Sequence, residues 1–209
     1  MPICSREVRP DGVIIAVDQY PFLKILNRVF SAGTVSENHS VPTYIVSSGN
    51  PEETAKEMAH RLAMGISERH ADRVVIAAAT LALRVAESAG TVLTDPDGKD
   101  DLVSLLEDEE TFRLLMAVAI IIPGCDPSVS VFTEEMILKD PDVDLDSIPE
   151  ESYGSSSPRS PFSGYFRKFI LDIEEDEWCL SERIRHVVVE YVRTHDASHL
   201  LRAGVSAMG

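Results

Sequence analysis

Gly12 to Val17 (GVIIAV) is a short, largely β-branched apolar run set between Asp11 and Asp18, and its length and bounds predict a buried strand. Tyr20 to Phe30 then repeats apolar residues at helical spacing, through Phe22, Leu23, Ile25, Leu26, Val29 and Phe30. Pro21 suits a first turn there, and Gly33 is placed to stop the helix. After polar Ser36 to Ser40, Pro42 to Ser47 (PTYIVS) reads as a second strand, so the chain opens as β-α-β. The next helix is the best marked. Asn50 caps it, Pro51 takes the first helical position, and Glu52 and Glu53 complement its positive end. Ala55, Met58, Ala59, Leu62, Ala63 and Ile66 form its apolar stripe.

Two later segments are apolar on every side. Asp72 to Gly90 carries an Ala-rich run through Val74, Ile76, Leu81, Leu83 and Val85; the alanines favour one buried helix. The competing division is a strand, Arg73 to Ala78, followed by a helix, Thr80 to Ala89. Asp95-Pro96-Asp97-Gly98 marks a turn. Asp101 to Leu106 and Thr111 to Ile122 follow as helices, the second closed by Pro123-Gly124. Ser128 to Phe132 is a candidate strand and Thr133 to Leu138 a helical turn. Tyr165 to Ile173 and Trp178 to Val192 carry helical patterns, the latter with Leu180, Ile184, Val187, Val188 and Tyr191 on one side, and a tail helix follows Asp196. The expected fold is α+β and helix-dominated, with a short N-terminal β-α-β; the alternative is a doubly wound three-layer α/β sheet. The expected division is a main domain over 1–138, an acidic, Ser-Pro-bearing linker or loop over 139–163, and a C-terminal helical segment over 164–209.

The composition narrows the function classes. The chain has 209 residues, 44% of them apolar, enough for a sizeable core. Nineteen Lys and Arg stand against 35 Asp and Glu, and a net charge of -16 argues against direct nucleic-acid binding. Cys4, Cys125 and Cys179 are widely spaced with no CxxC pair, which predicts neither a disulfide framework nor a zinc knuckle and favours a reducing, cytoplasmic setting. No secretory leader is legible, and Val74 to Leu83 and Leu114 to Ile122 are too short to span a bilayer.

Ser47-Ser48-Gly49-Asn50 lies between a predicted strand and the start of a predicted helix, where free backbone N–H groups and the helix dipole converge on an anion. The segment resembles the flavin-phosphate loop of flavodoxins and, equally, the sugar-phosphate loop of the sugar isomerase family. The resemblance covers about a dozen residues and implies a phosphorylated ligand at Ser47, Ser48, Gly49 and Asn50. Pro51 departs from the hydroxyl residue common there, and the aromatic loops that sandwich a flavin have no counterpart. Other patterns read more plainly. His195 and His199 are spaced like metal ligands on a helix, but Asp196 between them is a natural cap and exposed tail histidines are the simpler reading. Asp140, Asp142, Asp144 and Asp146, with Glu150 and Glu151, alternate like a calcium loop but lack its glycine, as do Asp95, Asp97 and Asp100; both read as solvated acidic turns. Cys125, with His60 or His70 as a base, lacks a nucleophile motif and reads as a buried spectator thiol.

No catalytic residue, metal or cofactor is therefore assigned. The leading expectation is a non-enzymatic assembly, scaffold or regulatory protein, soluble and intracellular, that binds a protein partner or copies of itself through helical surface, because one small domain struggles to bury two all-apolar helices. The alternatives are an α/β enzyme or binding protein for a phosphorylated ligand, using Ser47 to Asn50, and an acidic inhibitor that mimics nucleic acid.

Overall fold

In a computed structural model the described residues are 10–16, 26–31, 35–36, 50–84, 111–137, 179–203 and 205. They form, in order, β1 (Val13–Ala16), a helical turn at 26–29, β2 (Val35–Ser36), α1 (Pro51–Ser67), β3 (Val74–Arg84), β4 (Thr111–Ile121), β5 (Ser128–Ile137), α2 (Cys179–Thr194) and a 3-10 turn, Ser198–Leu200. The strands make one five-stranded sheet in the order β2-β1-β3-β4-β5. β1 runs parallel to both β2 and β3, while β4 and β5 are antiparallel additions.

The helix-dominated expectation is overturned by this sheet. Asp72 to Gly90 does not open as a helix, since Val74–Arg84 is a strand, and Thr111–Ile121 is its antiparallel neighbour over ten paired residues. The physical reason is two-sided burial. A strand covered on both faces shows a continuous apolar run instead of alternation, so its period disappears from the sequence. Alanine then misleads, because its helix propensity is a weak prior that tertiary packing overrides. Ser128 to Phe132 is indeed strand, but it continues as β5 to Ile137 where a helical turn at Thr133 to Leu138 was expected. β2 falls on Val35–Ser36, at the edge of the stretch read as polar. The strand expected at Pro42 to Ser47, the turn at Asp95 to Gly98, the helices at Asp101 to Leu106 and Tyr165 to Ile173, and the linker at 139–163 lie outside the described residues.

The two faces of the sheet differ in the size of their side chains. On one face Val74, Ile76 and Ala78 of β3 and Leu114, Met116, Val118 and Ile120 of β4 pack against Leu26, Val29 and Phe30 and against Ile184, Val188, Val189 and Val192 of α2. On the other face Ala77 and Ala79 lie opposite Ala119 and Ala117, and Ala55, Ala59 and Ala63 of α1 cover them. α2 thus shares its core with the N-terminal strand, and the chain beyond it is tied to the 26–31 segment. Ser31 N–H donates to Leu200 O at 2.8 Å and Arg202 N–H to Val29 O at 2.9 Å.

Helix ends follow local rules. Asn50 Oδ1 accepts from Glu52 N–H at 3.0 Å, the N-cap read from sequence, and Pro51 sits in the first turn. α2 ends in a Schellman-type turn: Ala197 N–H reaches Val192 O at 3.0 Å, and Asp196 takes the left-handed position at φ 58 that glycine usually fills. In the β4–β5 connection Cys125 N–H bonds Ile122 O at 3.0 Å across Pro123 and Gly124, and Gly124 at φ 73 supplies the positive dihedral that a type II turn needs.

The alanine-on-alanine layer leaves no room for larger side chains. Ala117→Leu should destabilise the fold by about 1–3 kcal/mol through overpacking, measured by urea unfolding. An unchanged midpoint would mean that α1 is free to lift off the sheet.

Candidate functional site

The connection from α1 to β3 spans only 68–73, so α1 runs back antiparallel to β3 and its N-terminus lies over the carboxyl half of that strand. A 17-residue helix rises about 25 Å, which places Asn50 near the level of Leu81 to Leu83. β1 ends lower, with Ala16 beside Ala77. The chain order also reverses here, since β1 lies between β2 and β3 and the covering elements change face, 26–31 on one side and α1 on the other. Crevices outside the carboxyl ends of strands at such a reversal are the usual ligand positions of open α/β sheets.

Ser47, Ser48 and Gly49 lie outside the described residues. Asn50 is described and exposed, and what it does there is structural. Its side chain caps Glu52 N–H, and its carbonyl accepts from Thr54 N–H and from Thr54 Oγ1, both at 3.1 Å. Pro51 has no N–H. The first turn of α1 is thus largely satisfied by its own chain. Glu52 and Glu53 add two carboxylates, and Lys56 Nζ bridges them at 3.2 and 2.7 Å. Those contacts hold the Lys56 pKa above its ordinary value, the hydrogen bond to Glu53 first and that to Glu52 second. By strand alternation Arg113, opposite Leu83, projects its exposed side chain to the same face and end as this helix start.

One residue at this end went unnoticed in the sequence. Thr80 of β3 is 3% exposed, and its Oγ1 is the one buried side-chain polar atom among the described residues without a hydrogen-bond partner. It lies three residues past the β1 register, on the face opposite α1. Inside an Ala-Ala-Ala-Thr-Leu run it reads as a helix or strand filler; only a hydroxyl amid a fully apolar stretch hinted at anything else.

The other candidates resolve differently. His195 and His199 do not share a helical face, because α2 stops at Thr194. His195 stacks on Tyr191 with ring centroids 3.9 Å apart and its Nδ1 lies 2.8 Å from Tyr191 O, while His199 Nε2 lies 2.9 Å from Pro10 O. Among the described residues no group of three or more His, Cys, Asp or Glu gathers in a way that could hold a metal ion. Cys125 is disulfide-bonded, which corrects the expectation of a spectator thiol in a chain without disulfides and leaves His60 and His70 no thiolate to serve. The acidic alternations at Asp95 to Asp100 and Asp140 to Glu151 lie outside the described residues. A 270 Å³ groove along α2 is lined by Glu182, Arg185, His186, Val189, Glu190 and Arg193. No helix among the described residues is long and apolar enough to cross a membrane.

No protein-family profile matches the chain, and no curated protein does. Among solved structures it is similar to a nucleoside-triphosphatase / dITP/XTP pyrophosphatase from Mycobacterium abscessus, at 14% identity and a TM-score of 0.41, over 85% of this chain and 96% of that one. The five-stranded sheet does not support the helical scaffold that binds a protein partner or copies of itself. That expectation rested on two segments thought too apolar to bury; as β3 and β4, Val74 to Leu81 and Leu114 to Ile121 are inside the sheet. The helical, oligomeric interaction protein is therefore set aside.

The role of Asn50 is open to a direct check. Asn50→Ala should cost about 0.5–2 kcal/mol in thermal or urea unfolding, and Asn50→Ser should recover most of it. Equal loss in both variants would show that the amide does more than cap the helix.

Proposed function

We propose that this chain is an α/β protein for a phosphorylated small molecule, bound in the crevice outside the carboxyl ends of β1 and β3, with Ser47 to Asn50 on the side of the phosphate. The observation that carries the reading is Thr80. A buried hydroxyl without a partner costs about 1–3 kcal/mol, and such groups are uncommon enough that each calls for a reason. Its place beside the strand-order reversal supplies one, because a ligand oxygen seated over β1 would complete its hydrogen bonding. The helix start on the opposite face contributes its dipole, and Arg113 contributes positive charge at the same end. Since Asn50, Pro51, Glu52 and Glu53 leave the helix little free donor capacity, the anion is held mainly by the loop amides of 47–49 and by the hydroxyl groups of Ser47 and Ser48.

Thermal shift with inorganic phosphate, a sugar phosphate and flavin mononucleotide tests the reading. A bound ligand at a hundred times its dissociation constant adds about 2.7 kcal/mol to stability, and Gly49→Leu should remove that gain by blocking approach to the backbone. Thr80→Val separates ligand binding from packing. Without ligand it should stabilise the fold by about 1 kcal/mol, because an unsatisfied hydroxyl becomes a methyl; with ligand it should weaken binding. A Thr80→Val protein that is less stable alone and binds all three probes unchanged would remove Thr80 from the site and the reading with it.

A further inference from the structure

We propose that the stretch 198–202 is a clasp that closes on the 26–31 segment and opens from it as one unit, without the sheet coming apart. A helix meets its own first carbonyls and leaves its last ones to other partners. Here Phe30 N–H closes on Leu26 O at 3.3 Å, and the carbonyls of Val29 and Phe30 are met by a residue far along the chain, Arg202. Its N–H donates to Val29 O at 2.9 Å and its Nε–H to Phe30 O, which sets a guanidinium at the negative end of the helical turn. Leu200 faces the other way. Its carbonyl accepts from Ser31 N–H at 2.8 Å and from the Ser31 hydroxyl at 3.0 Å. Phe30 and Leu201 pair between these bonds as an isolated antiparallel bridge.

Four hydrogen bonds thus join 29–31 to 200–202, and the side-chain bonds alone span 169 and 172 positions of sequence. Placing the two short stretches for any one of these bonds places them for the rest, so the set forms and breaks together. The clasp stands outside the ladders of the sheet, whose strands pair with one another. Ser198, His199, Arg202 and Ala203 are exposed, whereas β3 and β4 are buried on both faces along most of their length. A unit with exposed hydrogen bonds and few buried side chains opens more readily than core strands do. The chain enters the clasp through the left-handed turn at Asp196, φ 58, and Arg193 donates to Val205 O at 2.7 Å on its far side. The cover of the sheet face that carries Phe30, Ile184 and Val188 therefore has one part that lets go by itself.

Native-state amide hydrogen exchange of the full chain, read by residue with NMR over a series of low urea concentrations, tests the clasp. The amides of Ser31 and Arg202 should share one opening equilibrium, at least about tenfold more populated than that of the β3 and β4 amides. Their opening should depend weakly on urea and that of the sheet steeply, because the slope follows the surface exposed. Two substitutions test reciprocity. Arg202→Ala should speed exchange at the Ser31 amide by about tenfold, the loss of a hydrogen bond from a charged donor, and Ser31→Ala should speed exchange at the Arg202 amide by about fivefold, the loss of a neutral one. Ser31 and Arg202 amides that exchange as slowly and with the same urea slope as the sheet overturn the clasp. So does a substitution whose effect stops at its own residue.

Discussion

The close approach of α1 to the sheet is the constraint on which the other positions depend. At the centre of this layer Ala55, Ala59 and Ala63 face Ala77, Ala79, Ala117 and Ala119, flanked along the strands by the larger Val75, Leu81, Leu115 and Ile121. Interiors pack at near-crystalline density, and an interface of methyl groups tolerates little change in volume. With the helix seated there and only 68–73 to connect it to β3, its N-terminus has one place to go, over the carboxyl half of the strand. On the opposite face Leu26, Phe30, Met116, Ile120, Ile184 and Val188 share one core with α2.

This arrangement gives the sheet two unlike ends. At the amino end of the parallel strands the chain is tied repeatedly: Asp11 to Asp72, Val74 to Gly12, His199 to Pro10, and Tyr191 to Asp126, with the disulfide of Cys125 beside them. At the carboxyl end β1 stops at the level of Ala77 while β3 and β4 continue, and the order of the strands reverses. Structural ties thus gather at one end of the sheet, and the unsatisfied hydroxyl of Thr80 lies toward the other.

Where the residues act through neighbours in sequence, they were legible. Asn50-Pro51-Glu52-Glu53 announced a helix start through capping, a fixed φ and the dipole, all of which are local, and α1 begins there. Ala55, Ala59, Ala63 and Ile66 announced its buried face by their spacing, and β1 was marked by a short β-branched run between turn signals. The reading of Ser47 to Asn50 as a phosphate loop rested on a resemblance alone, and of these four residues the structure describes only Asn50, engaged as a cap. Thr80 showed in the sequence only as a hydroxyl within an apolar run, because an unsatisfied hydrogen bond is a property of surroundings and not of a residue type.

What the sequence by itself determined is therefore short in range: the start of α1, the stripe that α1 buries, the first strand and the helix Cys179–Thr194, each written in residues within a few positions of one another. What only the tertiary structure decided is the state of Val74 to Arg84 and Thr111 to Ile121. An apolar run buried on all sides carries no period, so nothing local separates helix from strand. The choice was made by partners distant in sequence, β1 on one side and β4 on the other, whose hydrogen bonds satisfy the backbone of β3 while α1 and α2 cover its two faces.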